Sequence, residues 1–377
     1  MRRSLRRLLA AILGIVAVIV SLVAIEGALE IREQRRLNRE AKRRLHPFLQ
    51  VVPSPELYDH VNAERFRGDP IEVAKPAGVL RVFTLGGSTT LGVRNGYDTT
   101  YPGILERLLR QRFPDRRVEV QNAASDWYTT AHTLVNYQLR VRRFAPDVVI
   151  AFEAVNDLCR SFSPSWWADG PFKADYSHYY GPLIRLRGLE AGFLDPPASN
   201  AFANLLIWRR ARELFGAPSP YDVTPDGLRR LRQALRPVPV SEFVSLPSFR
   251  ANIEALVRAI RSDGHMLVLA SQPFLYSESL AADDRAKLLF GPVFCAEGRT
   301  FPDDASMAAG LRRFNEAARK IASANGVPFL DFEAAVPKDG RHFSDDVHMT
   351  AAANEILAKL AFDWLVTSDV LASSRER

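Results

Sequence analysis

Ser88, Asn156, Asp345 and His348 are the side chains whose types and spacing could perform nucleophilic catalysis. A serine hydroxyl is a poor nucleophile at neutral pH unless a base lies within hydrogen-bond reach, and that base needs a carboxylate to hold its tautomer. His348 and Asp345 supply both groups from one short segment. The oxyanion of a tetrahedral intermediate also needs donors, which the Asn156 amide and the Ser88 backbone N–H can provide. These residues predict a Ser-His-Asp triad with an oxyanion hole.

Each of these segments also has an ordinary structural interpretation. Gly-Gly-Ser-Thr at 86–89 fits a strand-to-helix turn, Asn-Asp at 156–157 fits a helix cap, and Asp-x-x-His at 345–348 fits a solvated loop. Their placement favours catalysis, because each falls at the predicted carboxyl end of a strand or just before the last helix. Open α/β sheets bind ligands at that edge. His342, six residues before His348, is interpreted as a loop or surface histidine.

Short apolar runs that alternate with amphipathic stretches predict the elements that would position these side chains. Strands are expected at 79–85, 118–122, 147–152, 266–270 and 327–331. Helices are expected from about residue 101, at 130–144, at 248–261, after residue 305 and from Thr350, the last of them burying Ile356, Leu357, Leu360 and Trp364. Near-continuous apolar strands suit a parallel sheet covered on both faces, so we expect an α/β fold with five parallel strands.

At these residues the chain resembles the SGNH, or GDSL-like, hydrolase family. That family has a serine after the first strand, a glycine after the second, Asn-Asp after the third and Asp-x-x-His before the last helix. The matching segments are LGGSTT at 85–90, NAASDWYT at 122–129, EAVND at 153–157 and DDVHMT at 345–350. The resemblance covers about residues 79–365 and implies a three-layer αβα, flavodoxin-like domain.

The resemblance also implies ester hydrolysis through an acyl-enzyme. Trp127 stands where the family has its oxyanion glycine, so its backbone N–H would be a further oxyanion donor, and Ala154 replaces the glycine two residues before Asn156. Family substrates range from acetylated carbohydrates to lipids and thioesters, and we expect an esterase acting on O-acyl groups, preferably acetyl, of envelope carbohydrate. Two alternatives stay open: an O-acyltransferase that uses the same triad, and a catalytically degraded binding or assembly module.

The N-terminal segment carries the whole excess of positive charge. The 377-residue chain has a formal charge of +7, and residues 1–44 contain 11 Arg or Lys and 4 Glu, so the rest is neutral and no nucleic-acid partner is expected. Residues 8–25 are uncharged and follow four arginines, which predicts a cytoplasmic segment at 1–7 and a membrane anchor at 8–27. The body would then lie outside the cytoplasmic membrane. A cleaved signal peptide is the competing interpretation of the apolar segment. Seven basic residues between 32 and 44 argue against an orientation with the N-terminus in the cytoplasm.

The remaining chain divides into a charged stalk and linker at 28–77, a hydrolase-like domain at 78–366 and a tail at 367–377. An insertion at about 160–245, which includes Trp166 and Trp167, would cover the carboxyl ends of the strands and set specificity, or form a small core of its own. Cys159 and Cys295 either pair or stay as two buried thiols. No cofactor or metal is expected, because the sequence contains neither a C-x-x-C or H-E-x-x-H motif nor a phosphate-binding glycine loop.

Overall fold

A five-stranded parallel sheet forms the centre of the computed structural model, which describes residues 2–46, 48–162, 171–177 and 225–368. Its strands are β1 (Leu80–Gly86), β2 (Val118–Asn122), β3 (Val148–Phe152), β4 (Met266–Ala270) and β5 (Phe329–Leu330). The strand order is β2-β1-β3-β4-β5, with β1 paired between β2 and β3. Every residue of β1, β2 and β3 is buried, as the apolar runs predict. This is the flavodoxin-like order, so the α/β prediction is confirmed.

Helices cover both faces of the sheet and complete the three layers. They are Tyr101–Arg112, Thr130–Asn136, Leu246–Ser262, Asp304–Ala324 and Ala351–Thr367. The helices Tyr101–Arg112 and Ala351–Thr367 pack together, whereas Leu246–Ser262 packs against the other two. Other helices are Ser88–Leu91, Val155–Cys159, Pro225–Ala234, Ala282–Arg285 and Phe332–Ala335. Tyr97–Thr99 and Arg142–Phe144 are 3-10 turns, and Tyr137–Val141 and Phe290–Phe294 are π turns. Other strands are Leu45–His46, Gln50–Val51, Arg236–Val238 and Thr300–Pro302.

Two helices differ in detail from the sequence prediction. The helix expected at 130–144 is α-helical only to Asn136 and ends in the π and 3-10 turns, with Ala145 at a φ of 48°. Thr350 occupies the N-cap position of the last helix, but its hydroxyl donates to the Arg341 carbonyl oxygen at 2.7 Å and does not cap the helix. Local propensity predicted the position of this residue but not its partner.

The segment at 49–77, predicted to be a linker, packs against the core of the domain. The Phe66 ring is fully buried and contacts the rings of Phe83 and Phe144, with centroids 5.3 and 5.5 Å away. The buried Arg67 guanidinium donates to the Leu91 carbonyl oxygen at 2.6 Å and pairs with Asp59. The segment packs through single side chains, so it shows no helical or strand periodicity in the sequence.

The N-terminal segment is one helix, Arg2–Arg44, in which the predicted anchor and charged stalk are continuous. Among the described residues it alone contains a stretch, Ile12–Leu29, that is long and apolar enough to cross a membrane. A signal sequence meets the same criteria of length and composition. Most of the predicted insertion, with Trp166 and Trp167, lies outside the described residues, as does the tail from residue 369.

Candidate active site

Ser88 lies at the carboxyl edge of the sheet because it follows the last residue of β1 by two positions. β1 ends at Gly86, and Ser88 begins the short helix Ser88–Leu91. Gly86 has a φ of 159°, and a side chain there would collide with Thr90. A Cβ atom at Gly87 would lie 2.8 Å from Asn156 Nδ2. The two glycines therefore allow the backbone to turn sharply and to approach Asn156 closely.

The structure brings together the three residues of the predicted triad. His348 Nε2 lies 2.8 Å from Ser88 Oγ, and His348 Nδ1 lies 2.7 Å from Asp345 Oδ2. The serine and the histidine are 260 residues apart in the sequence. A base that contacts a hydroxyl through one ring nitrogen and a carboxylate through the other has the geometry required for general-base catalysis.

Asp345 sits in a pocket that favours its ionised form. The residue is 1% exposed, and its Oδ1 accepts the backbone N–H groups of Val347 at 3.1 Å and His348 at 2.9 Å. Arg94 Nη2 lies 2.9 Å from Oδ2. Burial alone would raise the pKa of Asp345, but the charges of His348 and Arg94 and the hydrogen bonds from His348 outweigh it and hold the pKa below its usual value. Asp345 is therefore held as a charged carboxylate, and in that form it can orient the His348 ring.

The neighbouring Asp346 holds the loop that carries His348 to the backbone at residues 289–290. Its carboxylate accepts the backbone N–H groups of Leu289 at 2.6 Å and Phe290 at 3.0 Å, together with the Tyr276 hydroxyl. Burial, followed by the charge of Asp345, raises the pKa of Asp346 to about 7. Asp345 and Asp346 therefore hold adjacent residues of the loop to two different sets of partners.

The predicted oxyanion donors follow β1, β2 and β3, which are adjacent strands. Asn156 is buried in the short helix after β3, and its Nδ2 donates to the Tyr128 carbonyl oxygen at 2.8 Å. The Ser125 N–H donates to the Gly86 carbonyl oxygen at 3.3 Å, which places the segment after β2 beside the Ser88 turn. Trp127 in that segment has a φ of 62°, the left-handed conformation that glycine adopts most easily. Its backbone conformation fits the family's glycine position.

Three aromatic rings form a row that links Trp127 to His348, and we call this row (Trp127, Phe294 and Phe290) the aromatic wall. The ring centroids of Trp127 and Phe294 are 4.9 Å apart, as are those of Phe294 and Phe290. The Phe290 ring lies 6.0 Å from the His348 ring. Phe290 and Phe294 carry no motif, so sequence reasoning missed them.

His342 is paired in the same manner as His348, but with a different aspartate. Asp339 lies three residues before it, and His342 Nδ1 lies 2.7 Å from Asp339 Oδ1. His342 lies in a loop, which is one of the two predicted alternatives, but it is buried there and does not lie at the surface. It packs there because the loop folds back at this point, with the Thr350 N–H donating to the His342 carbonyl oxygen at 2.9 Å. The histidine that reaches Ser88 is His348.

Two further residues support the site and left no signal in the sequence. Arg94 pairs with Asp345, and Asn95 Nδ2 donates to the Met349 carbonyl oxygen at 2.9 Å, so the chain after Ser88 is tied to the loop that carries His348. Their spacing from Ser88 matches no motif, and their partners lie about 250 residues later in the chain. Within the part of the chain that the structure describes, no group of three or more His, Cys, Asp or Glu side chains could hold a metal ion.

Comparison with known proteins gives one family and several relatives. The model of the GDSL-like lipase/acylhydrolase family matches residues 84–356, well over half of the chain. Thiazole synthase of Chlorobium phaeobacteroides is 29% identical over 129 residues, which are 33% of this chain and 47% of that protein. The chain therefore spans about half the length of this relative.

The similar solved structures are only distantly related in sequence. Axe2, an acetylxylan esterase from Geobacillus stearothermophilus, is 14% identical, with 78% of this chain and 96% of that chain covered and a TM-score of 0.43. LAE5, an alpha/beta hydrolase enzyme from the metagenome of Lake Arreo, is 15% identical, with 78% and 99% covered and a TM-score of 0.42.

Proposed function

Because the chain belongs to the GDSL-like lipase/acylhydrolase family, we propose that it hydrolyses ester bonds as a serine esterase whose catalytic residues are Ser88, His348 and Asp345. The observation that carries this proposal is the continuous hydrogen-bonded row from Ser88 Oγ through His348 to Asp345, with separations of 2.8 and 2.7 Å. Burial of Asp345 supports it, because an ion pair shielded from water is screened less.

The reaction proceeds in two halves. Ser88 Oγ attacks the ester carbonyl carbon while His348 Nε2 takes the hydroxyl proton and then gives it to the departing alcohol. In the second half, His348 removes a proton from water, which attacks the acyl carbon, and His348 then gives that proton to Ser88 Oγ as its bond to the acyl group breaks and the carboxylic acid is released. Asp345 orients the imidazole through Nδ1 and stabilises its protonated form. The negative oxygen of each tetrahedral intermediate is held by the Asn156 amide and by the backbone N–H groups of Ser88 and Trp127.

We assign short acyl groups to the site, with acetyl preferred. The support is the aromatic wall: Trp127 follows the segment that contacts Gly86, and Phe290 lies beside His348. In this proposal the indole and phenyl rings line the acyl side of Ser88, where they would leave less room for a long acyl chain than a glycine would. The alcohol portion is assigned to envelope carbohydrate, on the basis of the proposed location alone.

The proposed location is the outer side of the cytoplasmic membrane. Residues 1–7 remain inside, residues 8–27 form a single-pass anchor, and the charged part of the helix continues outward. The support is the apolar stretch Ile12–Leu29 and the arginines that precede it. A reporter that is active only outside the cytoplasm should be active when fused after Arg377. An expressed but inactive fusion would show that the protein has the opposite orientation.

Turnover of aryl acetate by the full chain in detergent tests the catalytic proposal. Ser88→Ala should abolish nearly all of it, because the remaining groups cannot replace a nucleophile. Thr89→Ala, one residue away, is the matched control and should keep most of the activity. Equal rates for wild type and Ser88→Ala would favour a binding or assembly module. If an added oligosaccharide is acylated in preference to release of free acid, the protein is instead an O-acyltransferase.

An acyl-chain series from acetyl to octanoyl tests the role of Trp127. The wild type should prefer acetyl, and Trp127→Gly should raise the octanoyl-to-acetyl ratio of kcat/KM by roughly tenfold or more, since removing apolar bulk from a pocket changes discrimination by about 1–3 kcal/mol. A wild type that prefers octanoyl, or an unchanged ratio in the variant, would reject this assignment.

A further inference from the structure

The two cysteines of the chain meet in the interior of the domain. Cys159 ends the short helix that contains Asn156, and Cys295 directly follows Phe294. Their Sγ atoms are 2.8 Å apart, and the two residues are 0% and 1% exposed. The pair therefore lies between the helix of an oxyanion donor and the segment that supplies two rings of the aromatic wall.

As free thiols, the two groups contribute little to stability. A thiol is a weak hydrogen-bond donor and a weak acceptor, and each sulfur otherwise behaves as a small apolar group. A disulfide bond is about 2.05 Å long, so a small approach of the two sulfur atoms would form it. The sequence contains only these two cysteines, so each has a single possible partner within the chain.

We propose that Cys159 and Cys295 form a disulfide in the mature protein, which joins the Asn156 helix to the aromatic wall. This proposal rests on the location proposed above, because protein disulfides form and persist outside the cytoplasm. The oxidant is a disulfide, either of a thiol oxidase or of glutathione. One cysteine thiolate attacks it and releases the first donor thiol, leaving a mixed disulfide. The second cysteine thiolate attacks that bond and releases the second donor thiol. Two electrons pass to the donor, whose thiols take up the two protons.

Burial determines when the bond can form. Burial, followed by the contact with Cys159, raises the pKa of the Cys295 thiol well above its usual value, so few thiolates are present in the folded protein. Oxidation should therefore occur while the chain folds, and a reduced folded protein should react slowly. Once formed, the bond is shielded from thiol reductants by the same packing.

The bond would connect two parts of the site that no continuous element joins. Phe294 contacts Trp127, and Asp346 holds the backbone of Phe290, so the wall is already attached at two points. The disulfide adds a third attachment, on the side of Asn156. It also closes a loop between residues 136 positions apart, and cross-links over such distances constrain the unfolded chain strongly.

Counting thiols in the full chain tests the proposal. The exported protein is quenched in acid, unfolded, labelled with a maleimide and weighed intact, with and without prior reduction. We expect no label before reduction and two after it. Two labels without reduction would overturn the proposal. The Ser88→Ala protein should give the same counts, so a cross-linked but inactive wild type would reject the proposed esterase while leaving the disulfide in place.

A second measurement uses the stability of the folded protein in detergent. Wild type that is reduced in denaturant, where the bond is accessible, and refolded with the reductant present should have a midpoint of thermal unfolding roughly 5–10 °C below that of the untreated protein, the effect of a cross-link that closes a long loop. The double variant Cys159→Ser and Cys295→Ser is the control, and the reductant should not change its midpoint. An unchanged midpoint for the wild type would show that no cross-link stabilises the fold.

Discussion

The loop before the last helix contains two Asp-x-x-His pairs with the same local geometry and different surroundings. In each pair the histidine Nδ1 lies 2.7 Å from a carboxylate oxygen three residues earlier. The Asp339 side chain is 48% exposed, whereas that of Asp345 is 2% exposed. His348 reaches Ser88 through its second nitrogen, at 2.8 Å.

Local spacing brings each histidine to a carboxylate, whereas the fold determines which carboxylate is buried. Three residues of spacing suffice to turn a histidine ring toward a carboxylate, as both pairs demonstrate. A strong electrostatic interaction also requires exclusion of water, and only Asp345 has it. The hydroxyl opposite His348 belongs to Ser88, which follows β1 and lies 260 residues earlier in the sequence.

Replacing the two histidines in turn should give the largest contrast. His348→Ala should lower kcat by roughly 10⁴-fold or more, because the serine then has no base. His342→Ala should keep kcat within a few-fold, although it should lower stability because the residue is nearly buried. Steady-state kinetics on aryl acetate, corrected for the folded fraction, measure both effects. Comparable losses of kcat in the two variants would mean that His342 also takes part in the chemistry.

The two aspartates should differ by less, but in the same direction. Asp345→Asn should lower kcat by roughly 10²–10⁴-fold, because the amide neither stabilises the imidazolium nor favours the required tautomer. Asp339→Asn should change kcat by less than about twofold, since an exposed pair contributes little. The ratio of the two kcat values measures how much burial of the carboxylate increases its contribution to kcat. A ratio near one would show that the pairs are equivalent and that burial of Asp345 is unimportant.

Arg94→Gln should produce the smallest effect, a displacement of the pH profile. The Arg94 cation is one of the groups that lower the pKa of Asp345. Without this cation, protonation of the Asp345–His348 pair is opposed less, so the pair takes up a proton at higher pH as the solution is acidified and the acid limb of kcat/KM should move to higher pH. The shift should be less than about one unit, because Arg94 is 47% exposed and solvent screens its charge.

Arg341→Gln is the control for this shift, because Arg341 is an exposed arginine next to His342 and should leave the acid limb in place. An acid limb that stays put in Arg94→Gln, or that moves to lower pH, would show that the ion pair seen with Asp345 does not influence the ionisation on which activity depends.

Much of the fold was predictable because buried strands carry their signal locally. β2 and β4 have the residues that their apolar runs predict, 118–122 and 266–270. Phe66 and Arg67 were not predictable, because each is buried by residues far away in the sequence and neither belongs to a periodic pattern. The helix after residue 130 was predicted too regular, since its side-chain pattern does not reveal where π and 3-10 turns begin.

The site was predictable where its residues form recognisable blocks. Ser88, Asn156, Asp345 and His348 each follow a strand or precede a helix in the expected order. The position of Trp127 came from family resemblance, and its φ of 62° is a backbone property that its side chain gives no reason to expect. Arg94 could not be identified, because the partner of an exposed arginine depends on tertiary folding.

The 260 residues between Ser88 and His348 also bear on the biogenesis of the protein. A chain is synthesised from its N-terminus, and contacts between distant residues form late because closing long loops costs entropy. Ser88, the proposed nucleophile, is therefore synthesised 260 residues before His348, its proposed base. Under the proposed mechanism, a nascent chain that lacks His348 has a nucleophile without its base, so activity appears only after the segment that carries His348 has folded beside Ser88.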